Sequence, residues 1–171
     1  FKLNNIAVDS IFYVFEDFGQ DFIKASHLKG ITTADVSLEM TLDQHLQLFP
    51  ETLVADISAT IQKGELNNFE PLQALNKYLD DEGLSQLRFA ELKNDIHIEN
   101  KTIYIPQMEI RSNVTVMQLS GTHTFDQQLN YRVVAPLRNK KKINIEEAGS
   151  ALEEMEGKTK VYLKITGTTD D

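Results

Sequence analysis

Asp95, His97 and Glu99 stand two apart in the run LKNDIHIEN, so an extended chain carries two carboxylates and an imidazole on one side. Carboxylate and imidazole together are metal-ligating chemistry, but a stable site needs further ligands from neighbouring elements. The same alternation is also that of an ordinary solvated strand face, and that reading is preferred. The four histidines, His27, His45, His97 and His123, have no close ligand spacing, and HExxH is absent. Neither GxGxxG, GxxxxGK[ST] nor GxSxG occurs. Paired acids such as Asp80-Asp81 and Glu146-Glu147 do not fix the carboxyl separation that glycoside hydrolysis requires. With no cysteine there is no thiolate nucleophile, thiolate metal site or disulfide. The expectation is a chain that is not an enzyme and needs no cofactor or metal.

The elements around that trio are mainly extended. Leu92, Ile96 and Ile98 alternate with Lys93, Asp95, His97 and Glu99, the period of a half-buried strand. Asn100-Lys101 turns the chain into Thr102 to Ile105, and Pro106 marks a bulge or an edge because it donates no ladder hydrogen bond. Thr115, Met117 and Leu119 oppose Val114, Val116 and Gln118. After a connection from Gly121 to Asp126, Leu129, Tyr131, Val133, Ala135 and Leu137 alternate again. Links this short favour antiparallel neighbours, since a parallel return takes a dozen or more residues.

Upstream, Phe1 to Val8 is extended, and Asp9 or Ser10 caps a helix bearing Ile11, Phe15, Phe18 and Phe22. His27 falls in a helix end closed by Gly30. A strand from Ile31 to Leu42 carries Ala34, Val36 and Leu38 on its apolar side. Residues 43–52 form a turn or loop, and a strand from Ala55 to Gln62 bends or ends at Lys63-Gly64. Glu70 to Asp80 reads as a helix, with Pro71 in its first turn and Leu72, Leu75 and Leu79 as a stripe. Asn144 and Glu147 form a capping box for another, ending by Gly157 before a last strand of Val161, Leu163 and Ile165. The predicted fold class is therefore α+β: a curved, mainly antiparallel β-sheet with several helices packed against its apolar face.

The totals constrain partners. A chain of 171 residues is one domain's worth, and 41% apolar residues suffice for a core. No run approaches the roughly 18 consecutive apolar residues of a spanning helix. A net charge of −9 opposes nucleic-acid binding. The one dense basic cluster, Arg138, Lys140, Lys141 and Lys142, is a candidate contact for an anionic headgroup or a partner protein, against the plainer reading of a wet loop. Because the chain starts at Phe1 without a methionine or signal peptide, it is expected to be a fragment of something longer.

Several segments carry a resemblance. They are Lys63-Gly64-Glu65-Leu66 with Phe69-Glu70-Pro71-Leu72, LSQLRFAEL from Leu84 to Leu92, Ile103-Tyr104-Ile105-Pro106, Met108-Glu109-Ile110-Arg111-Ser112-Asn113, and Leu119-Ser120-Gly121-Thr122-His123-Thr124-Phe125-Asp126 leading to Leu129-Asn130-Tyr131. As a composite, the chain resembles the C-terminal region of the AsmA-like family, most strongly between Gly64 and Tyr131. The likeness implies a single AsmA-like C-terminal domain over 1–171, part of a bacterial protein anchored in the inner membrane and exposing this domain to the periplasm. It implies a non-enzymatic role in outer-membrane assembly or in phospholipid transport between membranes, as in bridge-like lipid carriers, with phospholipid or another envelope protein as partner. Under that expectation Ile96, Ile98, Ile103, Ile105, Met117, Leu119, Tyr131 and Val133 are candidates for a lipid-facing wall. The alternative is a structural or protein-interaction domain of the envelope with a closed core, to which the same residues would belong.

Overall fold

The computed structural model describes residues 1–14, 23–69, 72, 85–136 and 159–168. Eight strands follow one another: β1 (Lys2–Ala7), β2 (Leu28–Glu39), β3 (Val54–Asn67), β4 (Gln86–Glu99), β5 (Thr102–Arg111), β6 (Val116–Thr124), β7 (Gln128–Pro136) and β8 (Lys160–Thr168). They form one sheet whose spatial order is the chain order, and every neighbouring pair is antiparallel. The short returns from β4 to β5, β5 to β6 and β6 to β7 dictate this for the central strands, while the other neighbours are joined by longer segments. At Asn100-Lys101 both turn residues take left-handed backbones (φ 51° and 55°), closing a two-residue hairpin on the Glu99–Thr102 pair.

The α+β expectation of a curved sheet with several helices is corrected. The sheet is a single open layer, and among the described residues one complete α-helix, α1 (Val8–Val14), packs on it, set against β1 and β2 with Val8 buried. A 3-10 turn forms at Pro50–Thr52. The chain given to helix ends and turns in the sequence reading goes instead into strand length. β2 begins at Leu28 rather than at Ile31, and β3 runs 14 residues to Asn67, past Lys63-Gly64. Pairing of Leu28 with Leu66 and Lys29 with Glu65 gives both stretches the backbone partners that a helix end would have supplied locally. The helices placed at Glu70 to Asp80 and at Asn144 to Gly157 lie outside the described residues, except that Leu72 packs into the core. Phe15, Phe18 and Phe22 also lie outside them.

Lys63 is where β3 bends, at φ 50°. Along β3 and β4 the alternation of buried and exposed residues changes phase there: Ile61 and Leu92 face one side, and beyond Lys63 and Ala90 that side is continued by Gly64, Leu66, Phe89 and Leu87. Both strands slip phase together, so their register stays continuous and one face remains apolar throughout. The Phe89 ring lies directly over Gly64, in the place a side chain would take.

Packing is densest toward the β5–β6 link. Leu72, Leu87, Val114, Met117, Val133 and Ala135 form the buried cluster, with Leu66, Phe69, Ile110, Leu119, Leu163 and Ile165 against it. Between β5 and β6 the chain turns inside the protein. The Ser112 hydroxyl donates to the Thr115 carbonyl oxygen at 2.7 Å and accepts from the Thr115 N–H at 3.0 Å, so this buried turn satisfies its own polar groups.

Candidate functional site

Register and burial give the sheet two chemically different faces. On one, Val36, Ile57 and Ile96 stand side by side on β2, β3 and β4, and Ala55, Ile98 and Ile103 continue the row across β5. Ile105, Gly121, Tyr131 and Ile165 form the next row, and Met108, Leu119, Val133 and Leu163 the one after, reaching β8. The face is largely apolar from Leu3 on β1 to Ile165 on β8, interrupted by Thr32, Asn94, His123 and the Tyr131 ring. Burial pushes the His123 imidazole below its ordinary pKa, since an apolar surround penalises the charged ring. Tyr131 is pushed up to about 12 for the same reason.

All eight wall candidates project to this face, but not into the same surroundings. Met117, Tyr131 and Val133 are 0%, 5% and 2% exposed and belong to the packed interior. Ile96, Ile98, Ile103, Ile105 and Leu119 are half-buried. Beyond them, toward β2, Leu38 is exposed. The aliphatic surface is thus sealed at Met117, Tyr131 and Val133 and partly open along Ile96, Ile98, Ile103 and Ile105, while Ala34 and Ala55 are again buried. Arg138, Lys140, Lys141 and Lys142 lie outside the described residues.

The opposite face is polar. Lys2 pairs with Asp35 at 3.4 Å, Lys29 with Glu65 at 3.7 Å, and Ser58 donates to Asp95. His97 lies opposite Asp56 in the β3–β4 register, its Nδ1 2.7 Å from an Asp56 carboxylate oxygen and its Nε2 3.5 Å from Glu99. Asp56 is the partner that sequence reasoning missed, because only the strand pairing brings it to His97. Among the described residues no group of three or more His, Cys, Asp or Glu side chains converges on a metal position. The trio reads as an exposed ion-pair cluster of small energetic weight.

The Asp56 hydrogen bond, and then that to Glu99, raises the His97 pKa above its ordinary 6.5. A raised pKa means the folded state holds the proton more tightly than the unfolded one. The stabilising contribution is therefore complete below pH 6.5 and disappears as pH climbs through the raised folded value. In an NMR titration of the imidazole protons, His97 is expected to titrate above 6.5, and Asp56→Asn to bring its midpoint down. An unchanged midpoint in the variant would show that Asp56 is not the cause.

A ladder gap adjoins this cluster. β4 and β5 pair only over His97–Tyr104, Ile98–Ile103 and Glu99–Thr102, and meet again at the Phe89–Ser112 bridge. Between these points Pro106 and the bulge between Ile105 and Met108 interrupt the ladder. There the Asn94 side chain takes over, accepting from the Asp95 N–H at 2.8 Å through its oxygen and lying 3.1 Å from the Met108 sulfur through its nitrogen. Compared with known proteins, the chain matches no family model, no curated protein and no solved structure, so its function is argued from these two faces.

Proposed function

We propose that this chain is a non-enzymatic module of the bacterial cell envelope whose aliphatic sheet face receives acyl chains during phospholipid transport between membranes or outer-membrane assembly. The observation that carries the reading is the succession of largely apolar rows across an open meander, half-exposed along Ile96, Ile98, Ile103 and Ile105. Each methylene moved from water onto such a surface gains up to about 0.8 kcal/mol, so a chain of a dozen carbons laid along the rows is held firmly without any polar anchor. The AsmA-like resemblance supplies the setting, a periplasmic domain of a protein held in the inner membrane. The closed-core alternative draws on the burial of Met117, Tyr131 and Val133, and it makes the same face internal.

Site-specific photocrosslinking separates the two. With benzoylphenylalanine at Ile98 or Ile103, the protein illuminated in cells is expected to carry covalently attached phospholipid in its mass spectrum. The same reporter at Thr102 or Tyr104, on the polar side, is expected to carry none. Absence of lipid at both aliphatic positions, in protein of unchanged melting temperature, would leave the interaction-domain reading standing.

A further inference from the structure

The polar face holds a second feature, independent of the lipid reading. Where Pro106 interrupts the ladder, a hollow of ≈ 470 Å³ opens on that side, lined among others by Asp95, Tyr104, Thr122, Asn130 and Arg132. Tyr104 is 42% exposed, and its ring stands 6.0 Å from that of His97. Register places Tyr104, Thr122 and Asn130 side by side on β5, β6 and β7, with Ser120, Arg132 and Lys164 in the adjoining row.

Two cations sit directly opposite each other here, Arg132 on β7 and Lys164 on β8. Like charges in register repel, and the chain has 26 acids against 17 Lys and Arg from which a partner could have been drawn. Even so, no ion pair among the described residues engages either side chain, although Lys2, Lys29 and Lys93 on the same sheet each have one. Arg132 lines the hollow and Lys164 stands next to it on the neighbouring strand, an uncompensated pair that an incoming anion relieves.

The rest of the hollow selects what carries that anion. An exposed aromatic ring on a flat strand face suits the C–H side of a pyranose, while a carboxylate, an amide and hydroxyls suit its ring hydroxyls. From β4 to β7 is three strand spacings, about 14 Å, the reach of a di- or trisaccharide. From this we infer that the polar face binds a short acidic glycan, with a sugar ring over Tyr104 and an acid group at Arg132 and Lys164.

The test uses the whole chain, isotopically labelled, titrated with trigalacturonate and, in parallel, with neutral maltotriose. Trigalacturonate is expected to shift the amide signals of Tyr104, Thr122, Asn130 and Arg132, and to bind about tenfold more weakly to Arg132→Gln, which loses a charge-assisted contact. Tyr104→Ala is expected to weaken binding too. Both side chains are exposed, so thermal melts of the variants should match the parent and certify the fold. No titration at millimolar sugar, equal binding of maltotriose, or shifts indifferent to both substitutions would each overturn the assignment. Shifts confined to the aliphatic face would overturn it as well.

Discussion

Met117→Asp is expected to leave no folded protein. Met117 has no exposed surface and sits among Leu72, Leu87, Val114, Val133 and Ala135. A carboxylate there must either ionise without a partner or take up a proton and still lack a hydrogen-bond partner, and each costs several kcal/mol beyond the lost packing. Set against a total stability of roughly 5–15 kcal/mol, that is enough to remove the native state or reduce it to a minor species. Met117→Leu, of similar volume, should cost less than about 1.5 kcal/mol. Far-ultraviolet circular dichroism during urea unfolding distinguishes them: the leucine variant keeps a cooperative transition, and the aspartate variant shows none. Ile98→Asp is the informative comparison, because Ile98 is half-buried and its carboxylate can reach water. It should keep its transition at a lower midpoint. A cooperative, parent-like melt for Met117→Asp would place Met117 on an open wall, and the packed interior described above would be wrong.

Gly121→Ala should produce the second-largest loss. Gly121 lies opposite Tyr131 in the β6–β7 register. An added methyl would come within 2.6 Å of Tyr131 Cδ1 and 2.8 Å of Tyr131 Cα, and would also press on the Asn130 carbonyl oxygen. Two of these three are backbone atoms of a paired strand, so relief requires β7 to move away from β6. Overpacking costs about 1–3 kcal/mol, and a clash with main chain belongs at the top of that range. For a chain of this size, about 3 kcal/mol lowers Tm by roughly 6–12 °C in a calorimetric scan. Gly64→Ala is the control. There the obstruction is the Phe89 ring, a side chain able to tilt, and the loss should be smaller. A Gly121→Ala protein melting with the parent would show that the two strands lie further apart at this point.

The strands were legible from alternation where a strand is regular and its turn local. The run from Leu92 to Glu99 and the Asn100-Lys101 turn could be read directly, since both depend on neighbouring residues alone. Gly121 misled: placed in a connection, it lies inside β6, because the absent side chain is needed for Tyr131 to approach rather than for a turn. Strand extent at Leu28 and beyond Lys63 was hidden for a related reason, being set by partners more than thirty residues away. The site divided in the same manner. Alternation put the wall candidates on a common side, but it does not distinguish Met117, sealed inside, from Ile98, half open, because sealing depends on which elements meet. Asp56 beside His97 and Arg132 opposite Lys164 are products of register, which no short window of sequence contains.

The interrupted ladder between β4 and β5 has a mechanical consequence. With three residue pairs at one end and a lone bridge at the other, the meander amounts to two four-stranded rafts sewn together at the corners. Load applied across the molecule concentrates on that seam, since most of its length carries no strand pairing. Any shear between the first half of the chain and the second would therefore be accommodated at Pro106, widening or narrowing the slit without unpicking either raft.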